Sequence, residues 1–366
     1  MVKQLPDGAY NMVAPLNGVS FEDGDNNIWI APSFDHLAAQ AMLMANEVSP
    51  DPNYLLSVES YLHWHVNHLN ANGTIYDYTG TYPDYTSSGD YDSTDAYAAQ
   101  FIETAYMYYQ VTEDSVFLDW VWPYIIQIAG AMDLTLQSDG LTWAKPDYNV
   151  KYLMDNTDVY IGYKAAAKFA ALKSDTVRQL EWSTKAANNL AGLETMYLGD
   201  ITGRYANAKD ANGTLDMSWT NAYPEGGAQM SAIRNILMET NPERSKILWE
   251  TSTQQFIPDG VPAEDITAWW VLGGVGVGKG DSAETFISFV AYQKYSTSWS
   301  AYIIPDYSNI TIMHQRFAQQ QNGDYNIDGR IDFKDFAVLA EQWDGSSLDE
   351  LADLADNWLK LDIWWD

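Results

Sequence analysis

The sequence contains no cysteine and few basic residues. Without cysteine there are no disulfides, and a chain of 366 residues does not need them because it can bury a sizeable core. Lys and Arg together number 19 against 50 Asp and Glu, which gives a net charge of -31. Such a surface repels phosphate, so the composition disfavours nucleic acid and anionic membranes as partners. No apolar run is long enough to span a bilayer.

Aromatic residues, in contrast, are abundant, with 15 Trp and 25 Tyr. Some of these rings must pack the core, but many can line a groove, where sugar rings and nucleobases both stack on aromatic faces. The negative charge separates these two ligands, because it opposes a nucleic acid and does not oppose a neutral polymer or a calcium ion. The composition therefore favours a polysaccharide as the partner.

Apolar periodicity predicts a mainly helical chain after an extended lead-in over residues 1–30. Apolar residues recur at three- and four-residue spacing, which is typical of amphipathic helices. Between these segments lie loops rich in Gly, Asp, Asn, Tyr and Pro. The helical pattern starts near Ser33 and includes 54–70, 95–111, 116–134, 158–173, 178–197, 225–238 and 281–295.

An internal repeat organises these helices. Asp35–Gln40 (DHLAAQ) matches Asp95–Gln100 (DAYAAQ), and Asp92–Tyr97 (DSTDAY) matches Asp155–Tyr160 (DNTDVY). An acid at the start of a helix caps free N–H groups and complements the helix dipole, and small residues let helices approach closely. Helical hairpins of about sixty residues would then close into an αα-toroid, or stack into an open α-solenoid.

These features resemble the six-hairpin glycosidase superfamily, whose members are (α/α)6 toroids. The resemblance rests on the Ala-rich inner helices with acidic N-termini and on the segments Tyr91–Tyr97 and Gly140–Tyr148. It extends over about residues 30–318 and is more specific for the fold than for any one family. It implies a mainly α chain with an (α/α)6 toroid, over residues 1–320, that acts on carbohydrate.

A calcium loop is predicted at Asp324–Asp335, which has the spacing of an EF-hand loop. Gly329 occupies position 6, where the chain turns sharply, and Ile331 at position 8 would pack inward. A hard cation needs about six or seven oxygens, and this spacing supplies them from one short segment. The ligands would be the side chains of Asp324, Asn326, Asp328, Asp332 and Asp335, together with the backbone carbonyl of Arg330.

The segments around this loop make a C-terminal module, residues 321–366, that resembles a type I dockerin. Asp335–Trp343 and Glu350–Trp358 look like a duplicated helix, and aspartate at position 12 of the loop fits the resemblance. The second half departs from it, because Asp344–Asp349 lacks the alternating ligands. The resemblance implies one structural Ca2+, a cohesin-like scaffold as partner, and a secreted protein whose signal sequence has been removed.

The acidic N-termini of the inner helices would meet at one mouth of the toroid. Glycoside hydrolysis needs one protonated carboxyl group for the leaving oxygen and one ionised carboxylate as base or nucleophile. Our first choice is a pair drawn from Asp92/Asp95 and Asp155/Asp158, because residues three apart share a helical face. Simple capping is the alternative role of Asp92 and Asp155. The acids expected at the mouth are Asp35, Asp92, Asp95, Asp155, Asp158, Glu225 and Asp265.

Two aromatic loops that precede inner helices suit sugar subsites, since rings stack on sugars and carboxylates accept hydrogen bonds from hydroxyl groups. One extends over 76–91 and the other over 143–152. The alternative is that their rings pack across the toroid face. The expected substrate-binding residues are Tyr76, Asp77, Tyr91, Trp143, Lys145, Asp147, Tyr148, Trp219, Tyr223, Trp269 and Trp270.

Three functions stay open from the sequence. The first is a secreted glycoside hydrolase. The second is a polysaccharide lyase, which needs a basic Tyr or His and a cation against a uronate carboxylate. Tyr148 with Lys145 and Lys151, or His63 with His65, would supply these groups. The third is a carbohydrate-binding protein with an aromatic groove and no acid/base pair.

No organic cofactor is expected. The glycines of Gly273–Gly280 mimic a phosphate loop, but no Ser or Thr follows Lys279, so we interpret them as a turn. His65 and His68 are three residues apart and could ligate a metal, yet no acidic partner lies nearby at a recognised spacing. An interhelical or surface role is therefore favoured for these histidines.

Overall fold

The computed structural model describes residues 3–11, 27–48, 50–258, 270 and 277. Helices dominate these residues, which confirms the prediction of a mainly helical chain for this part of it. The helices are α1 (Pro32–Val48), α2 (Pro52–Asn67), α3 (Asp95–Thr112), α4 (Ser115–Asp133), α5 (Leu153–Leu172), α6 (Thr176–Glu194), α7 (Gly227–Ala232), α8 (Met238–Thr240) and α9 (Pro242–Phe256), with π-helical turns at Ala222–Gly226 and Ile233–Leu237. The strands are β1 (Lys3–Gln4), β2 (Tyr10–Asn11), β3 (Asn27–Ile30), β4 (Tyr78–Thr81), β5 (Thr86–Ser87), β6 (Val150–Tyr152), β7 (Ala208–Asp210) and β8 (Leu215–Asp216).

Successive helices pair into four hairpins within the described residues. The first three are α1 with α2, α3 with α4, and α5 with α6, and in the fourth α9 packs against the helical run of residues 222–240. The first helix of each hairpin also packs against the first helix of the next, so these helices form an inner layer and their partners an outer layer. The hairpin repeat expected from the sequence is confirmed here.

Small residues allow the inner helices to approach closely. Ala99 of α3 is fully buried against Gly162 of α5, where an added Cβ would lie 2.7 Å from the Ala99 Cα. The alanines that follow Asp95 along α3 are buried as well, and so are Ala165, Ala166, Ala167 and Ala170 of α5. The alanine-rich pattern in the sequence therefore marks the inner layer.

We expect Gly162→Ala to destabilise the protein by about 2–3 kcal/mol, because the new methyl group must push α3 and α5 apart. Gly130→Ala is the matched control. Gly130 lies inside α4, where an added Cβ meets nothing within 4 Å, so the higher helix propensity of alanine should stabilise by about 0.5–1 kcal/mol. Urea unfolding measures both, and equal effects of the two substitutions would contradict the close packing.

The outer and inner helices begin in different ways. Thr94 and Tyr152 are the N-caps of α3 and α5, and neither side chain accepts a capping hydrogen bond. The interpretation of Asp92 and Asp155 as simple N-caps is therefore wrong. Outer helices are capped by an Asp or Asn that accepts a hydrogen bond from a backbone N–H two or three residues later, and these caps are Asp51, Asp114, Asp175 and Asn241.

Two antiparallel three-stranded sheets occupy connections that the sequence pattern indicated as loops or as part of the lead-in. One has the strand order β3-β4-β5, with Trp29 opposite Thr79, and the other has the order β6-β7-β8, with Lys151 opposite Lys209. The strands β3, β5 and β6 precede the inner helices α1, α3 and α5 along the chain. We call this side of the molecule, where the inner helices begin, the mouth.

Part of the aromatic excess fills the core. The side chains of Tyr10, Tyr61, Trp64, Tyr163 and Phe169 are all fully buried. These rings pack the core, so they are not among the aromatic residues that could bind a ligand. Among the described residues, no helix combines the length and the apolar character that crossing a membrane requires.

Candidate active site

Asp95 begins α3 and is fully buried. Its Oδ1 accepts hydrogen bonds from the Ser93 hydroxyl at 2.6 Å and the Ala96 N–H at 2.9 Å, and its Oδ2 accepts one from the Thr142 hydroxyl at 2.5 Å. Burial raises the pKa of Asp95 to about 6, although these hydrogen bonds lower it. Both oxygens of Asp95 therefore accept hydrogen bonds inside the fold. The bond from Thr142 joins α3 to the segment before α5, which is a structural role.

Asp155 lies in the first turn of α5 and is partly buried. Burial raises its pKa well above the usual value, and the negative charges of Asp95, Asp158 and Asp92 raise it further, while a hydrogen bond with Ser93 lowers it. The raised pKa favours the protonated form of this carboxyl group. That is the protonation state that a general acid requires.

Asp158 lies one turn further along α5, and two amides hold its carboxyl group. The Gln100 Nε2 donates to Oδ2 and the Asn235 Nδ2 donates to Oδ1, both at 2.8 Å. Burial raises the pKa of Asp158 to about 7, and the charge of Glu103 adds to this effect while Arg234 opposes it. Asp158 therefore ties α5 to α3 and to the π-helical turn at 233–237.

Beneath these acids lies an ionic contact that sequence reasoning missed. The Arg234 Nη2 donates to the Gln40 Oε1 at 3.1 Å and lies 3.9 Å from the Glu103 Oε1. The Gln40 Nε2 in turn donates to the Glu103 Oε2 at 3.0 Å. Burial raises the pKa of Glu103, and Arg234 and Gln40 lower it. The repeat offered a signal for this contact, because Gln40 and Gln100 end the two DHLAAQ-like copies.

Asp92 and Asp77 are two further carboxylates of the mouth, and both lie in or before the segment that leads into α3. Asp92 is exposed and Asp77 is partly buried. The Tyr97 hydroxyl donates to the Asp77 Oδ1 at 2.9 Å. Burial raises the pKa of Asp77 to about 6, with the Tyr97 hydrogen bond lowering it and the charge of Asp92 raising it. The charge of Asp92 acts on both Asp77 and Asp155, so the three carboxyl groups belong to one cluster.

Two stacked tyrosine pairs precede the inner helices that carry this cluster. Before α3, the rings of Tyr76 and Tyr91 are 5.6 Å apart with an interplanar angle of 16°. Before α5, the rings of Tyr148 and Tyr152 are 6.4 Å apart at 25°, and their hydroxyls are 3.1 Å apart. Tyr148 is 46% exposed, so this pair offers an accessible ring face of the kind on which sugars stack.

The lysines of the mouth are paired with acids. The Lys145 Nζ donates to the Tyr91 carbonyl at 3.0 Å and to the Asp90 Oδ1 at 3.3 Å. The Lys151 Nζ donates to both carboxylate oxygens of Asp139 at 2.7 Å. A lyase would need one of these charges for a uronate carboxylate. Both lysines named for the lyase alternative therefore already have a carboxylate partner.

The other predicted substrate-binding residues fall into two groups. Trp143 and Asp147 belong to the segment before α5, where Trp143 is partly buried and Asp147 is exposed. Trp219 and Tyr223 lie near the fourth hairpin. The Trp219 ring stacks against Phe256 at 5.7 Å, and Tyr223 is 50% exposed. The first group therefore lies in the segment that carries Tyr148 and Tyr152, and the second group lies between β8 and α7.

Three further residues of the sequence prediction lie inside the fold. Asp35 is fully buried, which raises its pKa, and accepts a hydrogen bond from the Tyr10 N–H at 3.4 Å. Glu225 accepts hydrogen bonds from the backbone and side-chain nitrogens of Asn221 at 2.9 and 3.0 Å. Trp270 is fully buried in the core. Outside the described residues lie Asp265, Trp269 and the calcium-loop residues Asp324, Asn326, Asp328, Arg330, Asp332 and Asp335.

The three neighbouring histidines have separate environments. The His65 ring is buried 5.0 Å from the His36 ring, and the His68 Nδ1 lies 2.6 Å from the Trp64 carbonyl oxygen. His63 is partly exposed on the outer helix α2. In the part of the chain that the structure describes, no group of three or more His, Asp or Glu side chains is placed to hold a metal ion.

No family model matches this chain, and no curated protein matches it. Its similarity is to solved structures. A rhamnosidase from Klebsiella oxytoca is 14% identical, with a TM-score of 0.56 over 80% of this chain, but this chain spans only 58% of that protein. An alpha-1,6-mannanase from Salegentibacter is 13% identical, with a TM-score of 0.57, and 86% of this chain covers 94% of it. A beta-1,3-1,4-glucanase from Paenibacillus is 12% identical, with a TM-score of 0.57 over 86% of this chain.

These similarities show that the chain has the (α/α)6 toroid-type fold of these hydrolases, as the sequence predicted. They do not transfer a catalytic pair. In the inactive mannanase variants, two consecutive aspartates are replaced, and this sequence contains no two consecutive aspartates. These comparisons therefore assign no functional role to any residue of this chain.

Proposed function

We propose that this protein is a glycoside hydrolase that cleaves a polysaccharide by acid/base catalysis with aspartates at the mouth of the toroid. The observation that carries the proposal is the environment of Asp155. Burial and three neighbouring acids raise the pKa of this carboxyl group, in the first turn of an inner helix. Asp155 is the general acid, and it protonates the oxygen of the leaving sugar.

The partner of the acid must be ionised and must reach a water or sugar carbon. Asp95 and Asp158 do not meet this requirement, because hydrogen bonds engage both oxygens of each. Asp92 is exposed, and the Asp77 Oδ2 receives no hydrogen bond from the described residues. The partner of Asp155 is therefore Asp92, which the sequence named as a catalytic candidate, or Asp77, which the sequence named only as a substrate-binding residue.

The tyrosine pairs support a sugar polymer as the substrate. Tyr148 exposes ring surface beside α5, and Tyr76 and Tyr91 stack beside α3. Rings on either side of the acids provide stacking positions for sugars on both sides of the cleaved bond. The neighbours bind or act on rhamnose, mannose, glucose and xylose sugars, as their names state, and the fold is therefore compatible with several neutral glycans.

A panel of neutral and uronate-containing polysaccharides tests the proposal. New reducing ends are measured together with the ultraviolet absorbance of an unsaturated uronate. We expect reducing ends without absorbance. A rise in absorbance would establish a lyase, and binding without any new reducing ends would establish a carbohydrate-binding protein.

We further propose that the C-terminal module binds one structural Ca2+ and attaches a secreted enzyme to a cohesin-like scaffold. The support is the ligand spacing in Asp324–Asp335 and the duplicated segments that follow it. The stretch Asp344–Asp349, which lies between the two duplicated segments, lacks alternating oxygen ligands. It should therefore not bind a second ion. The calcium has no catalytic role in this proposal.

Calorimetric titration of the full chain should therefore show one bound Ca2+. Asp328→Ala should abolish binding, because it removes a ligand from the centre of the loop. Asp349→Ala is the matched control, because Asp349 lies in the stretch Asp344–Asp349, and it should leave the titration unchanged. Removal of calcium with EDTA should not change hydrolysis. Two bound ions, or one ion retained by Asp328→Ala, would show that the ligand set is wrong.

A further inference from the structure

We propose that Asp77 is the general base of the reaction and that Tyr97 positions it. The inference rests on the hydrolase function proposed above and assigns the second carboxylate of that site. The sequence drew the catalytic pair from Asp92, Asp95, Asp155 and Asp158 without assigning the base, and it expected Asp77 only to bind substrate. The geometry of the segment before α3 points to a different assignment.

The backbone of Asp77 is fixed on both sides of its side chain. Its N–H donates to the Asp90 carbonyl at 2.9 Å, and its carbonyl accepts a hydrogen bond from the Ser88 N–H at 2.8 Å. These bonds close the base of the hairpin formed by β4 and β5. A catalytic carboxylate must be held in place before the reaction, and this pairing fixes where the Asp77 side chain starts.

The side chain of Asp77 is held at one oxygen and left available at the other. Tyr97 is buried in the first turn of α3, and its hydroxyl donates to the Asp77 Oδ1 at 2.9 Å. Among the described residues, no hydrogen bond is formed to the Asp77 Oδ2. A general base needs this arrangement, in which one oxygen orients the carboxylate and the second accepts a proton.

The charges around Asp77 leave it ionised at neutral pH. Burial raises its pKa to about 6, close to the pH at which a base of this kind is most effective. The Tyr97 hydrogen bond and Lys145 oppose this effect, whereas the nearby acids increase it. The titratable groups that face Asp77 are Tyr97 from α3, Asp90 and Asp92 from the segment before α3, Lys145 from the segment before α5, and Asp35 from α1.

Asp92 lacks these features. It is exposed, and no side chain or backbone group of the described residues donates a hydrogen bond to its carboxylate. Asp77 also follows Tyr76, whose ring stacks on Tyr91, so the carboxylate lies next to a position where a sugar would stack. The fixed and partly buried carboxylate is the better base of the two.

In the proposed step, the oxygen of a water molecule forms a bond to the anomeric carbon as one of its protons passes to Asp77. The bond between the anomeric carbon and the glycosidic oxygen breaks, and that oxygen takes the proton of Asp155. Each product then carries a hydroxyl group. Asp77 returns its proton to solvent, and Asp155 takes one from solvent. No other reactant is needed.

The test uses four variants of the full chain on a polysaccharide that the wild type hydrolyses. We expect Asp77→Asn to lower kcat at least about a hundredfold. Asp84→Asn, an exposed acid in the same hairpin, should keep the wild-type rate. Asp92→Asn should lose less than tenfold. Sodium azide should restore turnover to Asp77→Ala, because azide attacks the anomeric carbon in place of water and a glycosyl azide forms.

The pH–rate profile of Tyr97→Phe tells whether Tyr97 positions Asp77 or only stabilises the fold. Without the hydroxyl, the Asp77 carboxylate loses a stabilising hydrogen bond, so the acidic limb of the pH–rate profile should move up by about one pH unit while most activity returns at higher pH. Full activity of Asp77→Asn, or collapse of Asp92→Asn alone, would overturn the assignment and leave the hydrolase function intact. Absence of hydrolysis by the wild type across the panel would instead overturn the hydrolase function.

Discussion

Asp155→Asn is expected to lower kcat about a thousandfold on a polysaccharide that the wild-type protein hydrolyses, with little change in substrate binding. The amide has nearly the shape of the carboxyl group but has no acidic proton to transfer to the leaving oxygen. The measurement is initial-rate kinetics, together with binding of the same polymer to the variant. A loss of kcat of this size with unchanged binding is expected for an acid catalyst and not for a residue that only contacts sugar.

The same substitution should not destabilise the fold. Asp155 is partly buried beside Asp95, Asp158 and Asp92, and each of these charges opposes its ionisation. The unfolded chain holds this carboxyl group ionised at neutral pH, so folding has to add a proton to it. An amide needs no proton, so the free energy of unfolding at neutral pH should stay equal or rise. Loss of activity without loss of stability is typical of a group whose position serves catalysis.

The pH dependence gives an independent check on the role of Asp155. Because the acid must be protonated, activity should fall as the pH rises through its raised pKa. Asp119→Asn is the matched control, since Asp119 is an exposed acid on the outer helix α4 and pairs with Lys173. It should change neither the rate nor the profile. An Asp155→Asn enzyme with the wild-type rate would remove Asp155 from the mechanism.

The sequence identified the inner helices because their signals are local. The repeat at Asp35 and Asp95, in which two alanines stand three and four residues after the aspartate, reflects helices that start at the mouth and pack closely. The contact of Gly162 with Ala99 is one that this pattern allows. The Asx caps of the outer helices are equally local. They show that capping in this fold belongs to the outer layer, which leaves the acids of α3 and α5 for other roles.

The different roles of the aspartates could not be predicted from the sequence. They depend on hydrogen-bond partners that are distant in the chain. Asp95 is saturated by Thr142, which lies 47 positions away, and Asp158 by Asn235, which lies 77 positions away. Spacing alone aligned Asp92 with Asp155 and Asp95 with Asp158, and it did not separate their roles. Only the packing of α3 against the segment before α5 engages both oxygens of Asp95, whereas Asp155 stays partly exposed.

Acidification is expected to destabilise the protein through two buried histidines, at about 1.4 kcal/mol per pH unit for each. Burial lowers the pKa of His36 well below its usual value and that of His65 to about 3, and a neighbouring histidine adds to each shift. In the unfolded chain both titrate near pH 6.5, at about the model-peptide value. Between these limits the unfolded state binds more protons, so stability is complete above about pH 6.5 and decreases as the pH falls.

Buried carboxyl groups act in the opposite direction. Burial raises the pKa of Asp35 and of Asp158, so the folded state holds their protons more tightly and these groups favour folding as the pH falls. The total pH dependence therefore mixes both kinds of group. The contribution of one histidine to the free energy of unfolding is therefore measured as the difference between the wild type and a variant that cannot bind the proton.

His65→Phe provides that difference. The His65 ring already packs 4.5 Å from the Phe101 ring, and its Nδ1 has no hydrogen-bond partner among the described residues, so an aromatic hydrocarbon fits the site chemically. Between pH 6.5 and 5, the wild type should lose about 2 kcal/mol more stability than the variant, measured by urea unfolding at each pH. His63→Phe is the control, because the His63 side chain is 45% exposed. Parallel stability curves for the wild type and His65→Phe would mean that His65 is protonated inside the fold, which its burial beside His36 opposes.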